Sequence, residues 1–341
     1  MKAAVITSEG TPVAAHVQVV DDWADLSPDP AEVVVKTEAS ALNHLDLWVG
    51  IGMPGLGLTY PRISGSDGCG IISAVGDTVD QSWLGKRVIL NAAVRQEETI
   101  LPNIVAPPED IRMIGEHEHG TNAAYFSAPV QNVLEIGSVD PIEAAAFGLT
   151  HLTAWRMLVT RAELRVGQTV LITGIGGGVA LAALNICMHF GCRTVVTSRY
   201  QWKLDRAIEL GASDVVLDTG KDWSKEIRSI TNKRGVDICV DSVGGKLHAS
   251  CIKSLARGGT LVTCGCTGGA SPKTDLARIF WNQLSVMGST MGDMDEFHSI
   301  VSLFKNGMRP VIDSVHDVQH AAEAFARLES GEQFGKVVLR W

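Results

Sequence analysis

Paired cysteines are missing. Seven are scattered through 341 residues without a single Cys-x-x-Cys, the nearest pair being Cys264 and Cys266. An odd, dispersed set in a chain of this length reads as reduced thiols, and the expected compartment is the cytoplasm. Basic residues are in deficit too: 29 Lys and Arg face 38 Asp and Glu, for a formal charge of −9 and a pI near 5.6. A protein that tracks nucleic-acid phosphates carries the opposite footprint, so that class is set aside, while small anionic ligands stay open. The opening residues MKAAVITSEG hold no apolar stretch of signal-peptide length. No internal repeat or low-complexity tract occurs, and 45% hydrophobic with 20% charged residues is a globular composition.

Glycine is in excess. The 35 glycines are about a tenth of the chain, against an average near 7%. They have no G-X-Y period, which excludes collagen and directs attention to a turn or ligand loop. The length predicts two domains. Residues 170–190 contain no Asp, Glu, Lys or Arg, as a membrane span would. Yet Gly174, Gly176, Gly177 and Gly178 sit inside that run, before an Ala/Leu-rich stretch. A strand, a glycine turn and a buried helix explain it better.

The patterning divides the chain. Before residue 140, Lys2–Ile6, Glu32–Glu38, Cys69–Val75 and Lys86–Leu90 read as short strands, and Asn91–Pro108 as an irregular lobe. From about Ile142 strands and helices alternate. Strands are predicted at Thr169–Thr173, Arg193–Thr197, Asp214–Leu217, Val236–Val240 and Thr260–Cys264. Helices fall at Glu143–Thr160, Val179–Phe190, Trp202–Leu210, Trp223–Thr231 and Lys246–Leu255. That alternation predicts an α/β fold with a parallel sheet and right-handed crossovers. Two further helices, near Asp295–Asn306 and Val318–Ser330, precede a last strand at Lys336–Arg340.

The strongest single feature is the turn from Val170 to Ala180. Gly174, Gly176, Gly177, Gly178 and Val179 join a strand to a helix, where glycine lets a pyrophosphate approach the free N–H groups of the helix start. The spacing departs from G-x-G-x-x-G, and its place inside a βαβ unit is what strengthens it. S-adenosylmethionine-dependent methyltransferases use a related fold and are the alternative. NAD sites place an acid at the end of the second strand to take the ribose 2′-hydroxyl. Here the strand ends in Thr197, Ser198, Arg199 and Tyr200, and Lys203 follows one turn later. A hydroxyl and two cations suit a 2′-phosphate, so NADPH is the expected cofactor.

With these residues in place the chain resembles a family. Ala41-Leu42-Asn43-His44-Leu45-Asp46, Gly65-Ser66-Asp67-Gly68-Cys69-Gly70, Gly120-Thr121-Asn122-Ala123-Ala124-Tyr125 and Leu152-Thr153-Ala154-Trp155 occur in order. The glycine turn, Asp241-Ser242-Val243-Gly244-Gly245, Gly288-Ser289-Thr290 and Gly335-Lys336-Val337-Val338-Leu339 follow. Over its whole length this is similar to the medium-chain dehydrogenase/reductase superfamily, in its quinone-oxidoreductase and zinc-alcohol-dehydrogenase-like branches. The resemblance implies a GroES-like β-rich catalytic domain from both chain ends, 1–140 and 290–341, and a Rossmann domain at 141–289. It implies a cofactor in the cleft between them, and a homodimer formed by edge-to-edge pairing of Rossmann domains.

The zinc branch of that family has fixed ligand places, and this sequence does not fill them. Asn43 replaces the first Cys, Ser66 the His, Asp67 the neighbouring Glu, and Phe147 falls at or near the third ligand. The four-cysteine structural lobe would lie within Asn91–Pro108, which has no cysteine. The expectation is a zinc-free enzyme. His117 and His119, in Glu116-His117-Glu118-His119, would share a face if on a strand, but no third ligand is apparent and a packing role is preferred.

Without a Lewis-acid metal, the resemblance implies reduction of a quinone, or of a carbon–carbon double bond conjugated to a carbonyl, by hydride from the nicotinamide. Asn43, Asp46 and Trp48 match positions lining the substrate end; His44, Tyr60 and His151 are other candidate donors. Trp48 stands where some zinc-free relatives have an acidic tyrosine, and it cannot act as one. Thr153, Ser242, Gly265 between Cys264 and Cys266, and Lys336 are placed near the cofactor by the same resemblance. Trp281, Trp341 and Met291–Met294 read as core or interface. The alternatives are an alcohol or aldehyde oxidoreductase, and a cofactor-binding protein with little catalysis.

Overall fold

The computed structural model describes residues 1–53, 55–95 and 111–341. They form two compact units, Met1–Leu149 with Asp293–Trp341, and Thr150–Gly292.

The central unit carries a six-stranded sheet in the order Asp214–Leu217, Arg193–Ser198, Thr169–Ile172, Val236–Asp241, Leu255–Thr263, Ser285–Gly288. Every neighbouring pair is parallel. Val170, Leu171, Ile172, Val195, Val196 and Leu261 are fully buried. Such unbroken apolar strands need cover on both faces, which crossover helices provide. The Gly178–His189 helix buries Leu181, Ala182, Ala183, Leu184, Ile186 and Cys187 and presents no charged residue but His189. That packing is why residues 170–190 imitate a membrane span. Among the described residues no helix is long and apolar enough to cross a membrane. Strand order reverses between Thr169–Ile172 and Val236–Asp241, so their carboxyl ends frame the kind of crevice in which open α/β sheets bind ligands.

Three departures from the expected elements have local causes. The strand expected from Thr260 starts at Leu255, because Arg257-Gly258-Gly259 does not end it; the ladder to Val236–Asp241 shifts register there instead. The long helix from Glu143 is α-helical over Pro141–Trp155 and then widens into a π-helical turn, Arg156–Arg161. The Leu276–Asn282 helix and the edge strand Ser285–Gly288 lack a legible period; the helix start is marked only by Asp275, which accepts from Arg278 N–H at 3.0 Å.

The other unit is β-rich. A seven-stranded sheet runs Val133–Glu135, Arg87–Leu90, Gly68–Val75, Glu32–Ala41, Lys336–Arg340, Ile312–Asp317, with Tyr125–Pro129 also paired to Glu32–Ala41. A three-stranded sheet holds Val17–Val20, Ala3–Ile6 and Arg62–Ile63. Beside them Leu42, Leu47, Val49, Phe325, Leu328, Val337 and Leu339 make one core. The expected helix at Val318–Ser330 is α-helical only over Ala321–Glu329, because Val318–His320 is a 3-10 turn following Ile312–Asp317, a strand parallel to Lys336–Arg340. Asp313 of that strand takes both arms of Arg327 at 2.9 Å and the Phe334 N–H at 2.8 Å. Ala93–Arg95 pairs with Ile111–Met113; the rest of the expected lobe, 96–108, lies outside the described residues.

Candidate functional site

In the central unit the strand Thr169–Ile172 ends at Thr173, whose hydroxyl donates to Asp241 Oδ1 at 2.6 Å. Gly174 and Gly176 then take φ of 65° and 113°, a region that favours glycine. Ile175 N–H donates to Thr197 O at 2.8 Å, tying the turn to the end of the next strand. Gly177 caps the Gly178–His189 helix without a side-chain bond. A Cβ built on Gly177 would meet only Gly174 O, at 3.6 Å. This is an open cradle over a helix start whose first N–H groups have no intrahelical partner, and it fits a pyrophosphate.

Around that cradle stand most of the expected nucleotide residues. Ser198 is buried, with Oγ accepting from Tyr200 N–H at 3.2 Å; Arg199 is exposed. Lys203 is not a solvated surface lysine: it is 5% exposed, and its Cδ would lie 2.8 Å from a Cβ on Gly176. The Asp241 carboxylate accepts from Val243 and Gly244 N–H at 3.0 and 3.1 Å, shaping the turn that holds Ser242. A Cβ on Gly265 would stand 3.0 Å from Ser242 O. Burial pushes the Cys264 thiol up to about 12, while Cys266 is exposed. Thr153 Oγ1 stands 3.9 Å from Met291 Sδ.

In the β-rich unit, Asn43 follows the Glu32–Ala41 strand, Asp67 precedes Gly68–Val75 and Lys336 begins Lys336–Arg340. These are three adjacent strands, with Ser40 opposite Gly68 and Ala41 opposite Val338. Distant residues are thereby gathered at one sheet end. Lys336 Nζ donates to Asp67 Oδ2 at 2.9 Å and to Asn43 Oδ1, and Asn43 Nδ2 donates to Asp67 Oδ2 at 2.9 Å. Leu149 N–H donates to Asp67 Oδ1 at 2.7 Å. Lys336, Asp67 and Asn43 are 4%, 1% and 7% exposed. Asp46 closes the capping box, accepting the Asn43 N–H at 2.7 Å; burial pushes its carboxyl up.

Lys336 is therefore turned inward, and the Asn43 amide is engaged at both ends. Trp48 is half-buried on the His44–Ile51 helix, edge-on to His44 at 6.1 Å. Tyr60 Oη donates to Val49 O at 2.5 Å, and His151 is buried 3.4 Å from Asn185. Sequence reasoning missed Asp67 as Lys336's partner, since nothing in sequence links residues so far apart. The strand on which a Glu116–His119 metal site depended is absent: residues 115–117 turn, and His117 and His119 Nδ1 accept from Met113 and Ile63 N–H, each at 3.2 Å. Among the described residues no three His, Cys, Asp or Glu could hold a metal together.

One unit with a parallel sheet and a glycine turn at its switch point, and another, β-rich, with a buried polar centre, point to a nicotinamide-dependent oxidoreductase of two-domain type. Residues 29–138 match the model of the alcohol dehydrogenase GroES-like domain, and residues 178–306 that of zinc-binding dehydrogenases. A zinc-type alcohol dehydrogenase-like protein of Leptosphaeria maculans, YogA, is 30% identical over 92% of this chain and 91% of its own. The quinone oxidoreductase of Rattus norvegicus is 25% identical over 99% and 97%. A solved structure titled NAD-dependent alcohol dehydrogenase is 35% identical, covers 100% of both chains and superposes with a TM-score of 0.91. The chain belongs to the medium-chain dehydrogenase/reductase superfamily, a family of oxidoreductases, with its GroES-like and Rossmann folds.

The family model's name raises zinc, and the residues here do not fit it. Ser66 Oγ donates to Ile114 O at 2.7 Å, and Phe147 is fully buried, stacked on Phe304 at 4.6 Å. Asn43 and Asp67 are taken by an ammonium, a fixed positive charge where a second cation would be repelled. Removing that ammonium leaves Asp67 buried and unpaired. Lys336→Ala should cost about 3–5 kcal/mol in urea denaturation, and Lys336→Met with Asp67→Asn should recover most of it. A single-variant loss below about 1 kcal/mol would show that the pair does not hold this centre.

Proposed function

We propose that the protein is an NADPH-dependent, zinc-independent oxidoreductase that reduces quinones or alkenes conjugated to a carbonyl. The observation that carries the reading is the buried Lys336–Asp67 pair with Asn43, which supports a site working without a Lewis-acid metal. Dinucleotide binding is assigned to 141–289 and the catalytic role to the two chain ends, 1–140 and 290–341. When bound, the reduced nicotinamide supplies a hydride to the electrophilic carbon of the acceptor. Gly174, Gly176, Gly177, Gly178 and Val179 hold the pyrophosphate; Ser198, Arg199 and Lys203 take the 2′-phosphate; Thr153, Ser242 and Gly265 flank the cofactor. Asn43, Asp46 and Trp48 line the acceptor end, with Trp48 offering a flat apolar wall and water supplying the proton. Lys336 is assigned to holding Asn43 and Asp67 in place rather than to cofactor contact. Free thiols at all seven cysteines favour the cytoplasm.

The solved structure named as an NAD-dependent alcohol dehydrogenase favours a second reading, alcohol or aldehyde oxidation with NAD+ as the hydride acceptor. Chelator-treated protein with its metal content quantified, offered enones, quinones, aldehydes and simple alcohols, separates the two. The account expects metal-free turnover of enones or quinones with NADPH; zinc-dependent turnover of alcohols would overturn it.

The cofactor assignment has its own check by titration. Gly177→Val, placed where a side chain has room and φ is −75°, should leave melting unchanged and abolish binding of NADPH and NADH alike. Arg199→Asp should weaken NADPH at least tenfold, about 1.4 kcal/mol, and leave NADH nearly untouched. Equal loss of both would refute the 2′-phosphate assignment.

A homodimer is proposed through the sheet edge Ser285–Gly288. This edge strand has an unpaired side, and Leu276, Phe280, Trp281 and Val286 nearby are 71%, 69%, 71% and 46% exposed. Light scattering should give a dimer that Trp281→Glu dissociates. A monomeric wild type would rule it out.

A further inference from the structure

Lys203 is held by two aromatic rings. Its ammonium lies 5.1 Å from the Tyr200 ring centroid and 5.4 Å from that of Trp202, and the two rings are 6.4 Å apart at 43°. The guanidinium of Arg199 stands 5.6 Å over the same Tyr200 ring. One ring therefore serves both cations that flank the end of the Arg193–Ser198 strand. Tyr200 is itself anchored, its N–H donating to Ser198 Oγ. The lysine stem crosses Gly176, whose missing side chain makes the crossing available: a Cβ there would stand 3.3 Å from Nζ.

We propose that Tyr200 is a specificity-determining positioning residue of the nucleotide site. Its ring, with Trp202 as a second wall, pre-sets Arg199 and Lys203 to receive a dianionic 2′-phosphate. Two like charges side by side repel, and long cationic side chains lose rotamer freedom when a ligand fixes them. The negative face of an aromatic ring offsets the first cost and settles the second before the ligand arrives. The side chain touches neither the reacting carbon nor the hydride, so it acts on affinity and not on chemistry. This rests on the NADPH reading given above.

The test is fluorescence titration of NADPH, NADH, 2′,5′-ADP and 5′-AMP against wild type, Tyr200→Leu and Tyr200→Phe. Leucine keeps the bulk and removes the π face; phenylalanine keeps both. Tyr200→Leu should lose roughly tenfold in affinity for NADPH and 2′,5′-ADP while NADH and 5′-AMP stay within twofold, and Tyr200→Phe should behave as wild type. If wild type prefers NADPH and Tyr200→Leu leaves the preference unchanged, or lowers all four ligands equally, the positioning role is wrong while the cofactor reading stands. If wild type binds NADH as tightly as NADPH, the cofactor reading fails and this inference fails with it. Should Tyr200→Leu not fold, Trp202→Leu, at a ring that is 40% exposed, carries the same expectation at smaller size, and an unchanged NADPH preference there overturns the clamp.

Discussion

The β-rich unit is organised around one buried charge pair. An ammonium and a carboxylate taken out of water are expensive unless every remaining donor and acceptor is met. Here Asp67 accepts from Lys336, Asn43 and Leu149, and Lys336 donates to Asp67 and Asn43. This fixes which end of the Asn43 amide faces which partner, and it seats the first turn of the His44–Ile51 helix through Asp46. The same pair engages the side chains of both Asn43 and Asp67, the observation on which the proposed zinc-independent reading rests. Under the proposed function, the residues' part is positioning and charge complementarity, which suits hydride addition to an acceptor already activated by its own carbonyl.

The nucleotide side obeys a different constraint, backbone geometry. Two glycines with positive φ bend the chain between strand and helix, and a third leaves open space above the helix start. No side chain needs to be charged for a pyrophosphate to be held there, which is how a chain of net charge −9 accommodates an anionic cofactor. The proposed preference for NADPH rests on the neighbouring strand end, where Ser198, Arg199 and Lys203 stand in place of an acid.

The fold class was legible because it rests on short-range pattern. Alternating apolar strands and helices predicted the parallel sheet, and the glycine turn falls at a strand-to-helix join as its place in the alternation indicated. Elements failed where pattern was weak: Ser285–Gly288 is an edge strand with half-exposed residues, Ile312–Asp317 carries charge at its second position, and Arg257-Gly258-Gly259 imitates a turn inside a strand. The site was legible only in part. Glycines and the strand-end cations announce themselves locally. The Lys336–Asp67 pair does not, because three strands bring its members together, and the packing of Lys203 against the rings of Tyr200 and Trp202 shows only in the structure.

Hydride tracing tests the central claim most directly. NADPH deuterated at C4 is offered to the chelator-treated enzyme with a cyclic enone, and the product is analysed by mass spectrometry. The account predicts deuterium on the carbon β to the carbonyl, at a rate unaffected by added zinc. Deuterium on a carbinol carbon, or transfer that appears only when zinc is restored, would contradict it.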